Sequence, residues 1–89
     1  MPKIRKEVII KNPQGLHARP AAMFVQVTNK YTADVTVQRD EEKVNGKSIM
    51  GILTLGAHKG SKIILEAEGE DAQALIDELE ELLSREVIE

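Results

Sequence analysis

The apolar residues of this chain fall into seven short segments that switch between the period of two typical of strands and the period near 3.6 typical of helices. Ile4–Ile10 is rich in β-favouring residues, and Ala33, Val35 and Val37 alternate with Asp34, Thr36 and Gln38 in a half-buried strand. A short strand fits Lys43-Val44-Asn45 after the polar turn Arg39-Asp40-Glu41, and Lys62–Ala67 reads as a fourth between Gly60 and Gly69. Helices are expected over His17–Asn29, Ser48–Leu55 and Asp71–Ser84. In the last, Asp71 is placed to cap, Leu75, Ile76, Leu79, Leu82 and Leu83 form a core-facing stripe, and Asp77, Glu78, Glu80 and Glu81 are expected to face water. The order βαββαβα predicts an α+β fold with the helices on one face of an antiparallel sheet and the other face wet, an open-faced β-sandwich. Pattern alone does not fix the order of the strands.

Eighty-nine residues with 42% hydrophobic content suit one domain spanning 1–89. Without cysteine, neither a disulfide nor a thiolate metal site holds the fold. The start Met1-Pro2-Lys3-Ile4-Arg5 lacks an apolar signal core, and no apolar run approaches the roughly 20 residues of a membrane span, so a cytoplasmic protein is expected. Charge is uneven: residues 1–47 hold nine Lys/Arg against five Asp/Glu, residues 48–89 three against ten. The basic half could meet an acidic partner, whereas the acidic end should repel nucleic acid and anionic membrane; an unevenly charged solvated surface is the plain alternative.

Chemistry concentrates in Gly15-Leu16-His17-Ala18-Arg19-Pro20. Asn12-Pro13-Gln14-Gly15 is turn composition, so the first strand ends there and a helix starts near His17. Pro20 then lies in the first turn, where its missing N–H had no intrahelical partner to lose. The Ala18 and Arg19 amides remain as donors at the positive end of the helix dipole and make a seat for an anion. A phosphoryl group carried on His17 would land on that seat, and the Arg19 guanidinium can reach its oxygens. An exposed histidine at a helix start is also an ordinary surface residue; the complete hexapeptide argues for more.

The run Gly15-Leu16-His17-Ala18-Arg19-Pro20-Ala21 resembles the active-site signature of the HPr family, the histidine-containing phosphocarriers of the bacterial sugar phosphotransferase system. Lys47-Ser48-Ile49-Met50-Gly51-Ile52-Leu53-Thr54-Leu55-Gly56 is similar to that family's regulatory-serine segment, at the same separation from the histidine. The resemblance covers essentially the whole chain and implies the strand order 1-4-2-3. It further implies that His17 accepts a phosphoryl group on Nδ1 from phosphorylated enzyme I and passes it to enzyme IIA proteins, with Arg19 and the amides of Ala18 and Arg19 holding the phosphate. Such a protein is a carrier rather than an enzyme and needs no cofactor; the sequence does not set its oligomeric state, and a monomer is the simplest expectation for a shuttle. The resemblance also implies phosphorylation of Ser48, with a serine kinase/phosphorylase and a transcriptional regulator as further partners. Many members carry threonine where this chain has Ala22, which leaves partner preference open and admits a nitrogen-regulatory or specialised paralogue.

Ser48 is equally suited to be a plain N-cap, and a phosphate at a helix start is tolerated by the dipole. Ile49, Met50, Ile52, Leu53 and Leu55 are more apolar residues than one buried stripe of two turns requires. Leu16, Ile49, Met50 and Leu53 are therefore candidates for an apolar docking patch near His17, against the alternative of a short helix that is simply well buried. Gly46-Lys47-Ser48 mimics the end of a P-loop, but Glu41 stands where that motif needs glycine. His58, in a glycine-bounded loop, is expected to be exposed and without ligand-like neighbours, and no ligand-spaced set points to a metal. One Tyr, one Phe and a net charge of −3 offer no platform for nucleic acid. A small anion-binding hydrolase using His17 and Arg19 is the remaining reading from another class.

Overall fold

The computed structural model describes residues 2–86. It contains β1 (Lys3–Ile9), α1 (Ala18–Thr28), β2 (Asp34–Arg39), β3 (Glu42–Asn45), α2 (Ile49–Leu55), β4 (Lys62–Glu68) and α3 (Ala72–Ser84), the element order the periodicity predicts. The strands form one antiparallel sheet in the order β1-β4-β2-β3.

The period-two pattern decides which side of the sheet is dry. Val8 pairs with Ile63, Val35 with Ala67, and Val37 with both Leu65 and Val44, so these side chains share the inner face. All of them except the half-buried Val44 are buried. Against them the helices bring Ala21 and Phe24 from α1, Ile52 and Leu55 from α2, and the stripe Leu75, Ile76, Leu79, Leu82 and Leu83 from α3. α3 lies over β1 and β4, α2 covers β3 and the side of β2, and α1 packs against both helices. The outer face keeps the polar half of each strand, with ion pairs such as Lys43 to Glu66 at 3.8 Å and Lys62 to Glu7 at 3.8 Å. Exposed pairs of this kind add little stability. No helix among the described residues is long and apolar enough to cross a membrane.

Two expectations for α3 need correction. Asp71 occupies the N-cap position but makes no side-chain cap; its carboxylate instead accepts from the Thr32 and Ala33 amides, both at 2.8 Å, and from the Thr32 hydroxyl at 3.2 Å. Donors at the entry to β2 outcompete the helix's own. Glu78 and Glu80 are half-buried rather than fully in water. Glu78 pairs with Lys30 and accepts from the Tyr31 hydroxyl at 2.5 Å, while Glu80 faces Lys6 at 3.4 Å. Partners in the turn after α1 and on β1 reach over the acidic face of α3, which helical spacing cannot reveal.

The Thr32 amide, aided by that of Ala33, holds the Asp71 carboxyl below the usual aspartate value. A depressed folded-state value stabilises above the unfolded pKa, near 4, and that contribution is lost as pH falls through the folded value. Asp71→Asn is therefore expected to lower the thermal midpoint at neutral pH, with the gap to the parent protein narrowing below about pH 4. Melts at several pH values check this, and a gap independent of pH would contradict it.

Candidate functional site

The approach to α1 is fixed before His17 is reached. Asn12, fully buried, closes a turn in which the Gly15 amide donates to the Asn12 carbonyl at 3.2 Å and the Asn12 Nδ2 donates to the Gly15 carbonyl at 2.9 Å. Gly15 has φ +64°, and a Cβ there would stand 2.6 Å from the Ala57 carbonyl oxygen and 2.6 Å from the His58 Cα. Only glycine meets both demands. The next amide, of Leu16, donates to the Ala57 carbonyl at 2.9 Å.

From this anchored turn the chain emerges at His17, the N-cap of α1, with extended backbone angles of φ −88° and ψ −165°. Its carbonyl accepts the first helical bond, from the Ala21 amide at 2.7 Å, while its side chain makes no capping bond and is exposed. Ala18 and Arg19 are exposed as well, and Pro20, third in the helix, is buried where it gives up no hydrogen bond. Among the described residues no backbone carbonyl accepts from the Ala18 or Arg19 amide, and no carboxylate pairs with the Arg19 guanidinium. Imidazole, two donors and a cation thus share one exposed helical turn. The dipole field there favours an anion.

The docking patch stands corrected at one position. Leu16 is 2% exposed and belongs to the core, because the left-handed Gly15 turns the chain inward and the Leu16 amide is tied to Ala57. Met50 at 66%, Ile49 at 41% and Leu53 at 38% are exposed on α2, while Ile52 and Leu55 are buried. Ser48 is the N-cap of α2, its Oγ accepting from the Gly51 amide at 3.1 Å. The structure does not bring Ser48 to His17. The Thr28 hydroxyl at the far end of α1 donates to the Gly46 carbonyl at 3.0 Å, which sets Ser48 near the C-terminal end of α1. The eleven residues of α1, about 16 Å of helix, separate it from His17.

His58 is exposed as expected, and its ring has side-chain neighbours. Its ring lies 3.4 Å from the Arg39 guanidinium and 3.3 Å from the Ser61 hydroxyl. The signal available beforehand was Ser61, three residues on across a glycine-bounded loop; nothing local pointed to Arg39 or to the buried role of Asn12.

Residues 4–85 match the family model for PTS-HPr, described as the PTS HPr component phosphorylation site. The chain belongs to the HPr family. It is 42% identical over 84 residues to the HPr-like protein Crh of Bacillus subtilis, an alignment covering 94% of this chain and 99% of that protein. It is 41% identical over 80 residues to phosphocarrier protein HPr of Borreliella burgdorferi, covering 90% and 93%. The crystal structure of HPr from Bacillus anthracis superposes with a TM-score of 0.90 at 40% identity, over 92% of this chain and 98% of that one. HPr-type phosphocarriers share the open-faced sandwich, so the helix start that carries His17 is part of a common scaffold.

Proposed function

We propose that this chain is a cytoplasmic phosphoryl carrier of sugar uptake, in which His17 accepts a phosphoryl group from phosphorylated enzyme I and hands it to enzyme IIA. The observation that supports this most is the exposed His17 ring at the N-cap of α1, held by no capping bond beside two amides without backbone partners. The lone pair of Nδ1 forms a bond to phosphorus as the donor's bond to phosphorus breaks, and Nε2 keeps its proton. The Ala18 and Arg19 amides and the Arg19 guanidinium then hold the phosphoryl oxygens through solvent-facing contacts, firm enough to carry and loose enough to release. An exposed helix tip lets successive partners surround the group and supply the remaining catalytic groups. No cofactor enters this scheme.

Transfer from the labelled chain to an enzyme IIA tests the reading: label should move once per chain and stop when the acceptor is removed. Multiple turnover of a phosphate ester by the isolated protein would instead support a hydrolase. We take the shuttle to act as a monomer, since docking must leave α1's tip free, although B. subtilis Crh has been solved as a swapped dimer.

A second, regulatory reading is favoured by the likeness to Crh, described for B. subtilis as the catabolite repression HPr. In it, a serine kinase/phosphorylase modifies Ser48 and a transcriptional regulator reads the result. A phosphate on the Ser48 Oγ would meet the Gly51 amide and the start of α2, which accommodates negative charge. Under either reading Ile49, Met50 and Leu53 are the docking surface, lying on the helix that packs beside α1. Met50→Glu is expected to raise KM for phosphoryl acceptance about tenfold, as burying one unpaired charge at an apolar contact suggests, with thermal stability unchanged. Normal KM in that variant would remove the patch from the account.

A further inference from the structure

We propose that Arg39, His58 and Ser61 form a brace that positions the His17 loop, which makes Arg39 and His58 positioning residues for phosphoryl transfer; the effect on transfer rests on the carrier reading above. Arg39 lies at the end of β2, where its Nη1 donates to the carbonyl of Leu55, the last residue of α2, at 3.2 Å. Its Nη2 stands 3.4 Å from the Nε2 of His58. On the other side of that ring, Nδ1 is 3.1 Å from the Lys59 carbonyl and 3.3 Å from the Ser61 Oγ, which also accepts from the His58 amide at 3.0 Å. A carbonyl only accepts, so Nδ1 carries the ring proton and Nε2 is left as an acceptor for the guanidinium. One side chain thereby links the end of β2, the end of α2 and the entry to β4.

The loop held in this way is the wall on which the His17 loop rests. The Leu16 amide donates to Ala57, the Gly60 amide donates to Ile10 at 2.9 Å, and the Ile10 amide donates to Ser61 at 3.0 Å. Gly15 approaches the His58 backbone so closely that a Cβ would overlap its Cα. A shift at residues 57–58 therefore reaches Leu16, one residue before His17. The loop is bounded by Gly56 and Gly60, both at positive φ, and the side-chain brace adds to the backbone bonds that hold it.

Amide exchange of Leu16, read on the free protein, tests the brace without any phosphate. Arg39→Ala and His58→Asn should each speed that exchange about three- to tenfold, the range for loss of one solvent-facing hydrogen bond. The double variant should lose no more than Arg39→Ala alone, because the link from Arg39 to His58 is already gone in it. His58→Gln should exchange at the parent rate, since its side-chain oxygen extends to where Nε2 stands, whereas asparagine reaches only as far as Nδ1. Unchanged exchange in Arg39→Ala, additive effects in the double variant, or a glutamine as damaging as asparagine would each overturn the brace. In phosphoryl acceptance from phosphorylated enzyme I, Arg39→Ala should lower kcat by a similar factor with KM unchanged; a loss confined to KM would overturn the positioning role. A chain that accepts no phosphate at all would sink the carrier reading alone, because the exchange result judges the brace independently.

Discussion

His17→Ala is expected to abolish acceptance of an acid-labile phosphoryl group while leaving the fold intact. The side chain is exposed and caps nothing, and the carbonyl that receives the Ala21 amide is retained in the variant. Unfolding should accordingly stay within about 0.5 kcal/mol of the parent, the range of surface changes away from structural features. The other histidine cannot substitute, because the His58 ring is engaged by Arg39, Lys59 and Ser61. Arg19→Ala is the contrasting case: the nucleophile remains but a charge-assisted contact worth about 1.5 kcal/mol in the transition state is lost, so transfer slows about tenfold. Phosphate per chain and initial rates with enzyme I and phosphoenolpyruvate measure both. Full labelling of the His17→Ala protein would remove His17 from the account, and an unchanged rate in Arg19→Ala would remove the guanidinium.

Gly15→Ala should damage stability and transfer together. An alanine held at φ +64° costs about 1–2 kcal/mol, and its Cβ would overlap two backbone atoms of the neighbouring loop, which adds about 1–3 kcal/mol. The sum, about 2–5 kcal/mol, is a large part of the 5–15 kcal/mol typical of a whole domain. Relief requires residues 57–58 or residues 14–16 to move, and either displacement carries the His17 turn with it. Denaturant unfolding should show a lower midpoint at an unchanged slope, accompanied by slower phosphoryl acceptance. A variant as stable and as fast as the parent would contradict the tight contact.

The parts of this architecture that were legible beforehand are those written in local spacing. Val35 and Val37 announce a strand whose inner face is dry, and Leu75, Leu79 and Leu82 announce a helix with one buried stripe, because period and burial are linked along a single element. The helix start at His17 was equally readable, since turn residues, proline placement and the absence of breakers after it are consecutive in sequence. The strand order came only from family resemblance: β4 lies between β1 and β2 through contacts that no local pattern encodes. Leu16 turns inward for a related reason. Its neighbour His17 faces solvent, and only the positive φ of Gly15 and the bond to Ala57 reveal that the preceding residue points the other way. Local spacing places Asp71 as a cap, but its carboxylate goes to the Thr32 and Ala33 amides, 39 and 38 residues distant along the chain. The Arg39 to His58 contact has the same character, joining a strand end to a loop 19 residues later.

We propose that the exposed imidazole at the tip of α1 carries the phosphoryl group. Incubating the intact chain with phosphoenolpyruvate and enzyme I, and then locating the acid-labile phosphate by nitrogen and phosphorus NMR, tests it most directly. The account predicts one phosphoryl group per chain, bonded to Nδ1 of His17. Phosphate on His58, on any other residue, or on none would contradict it.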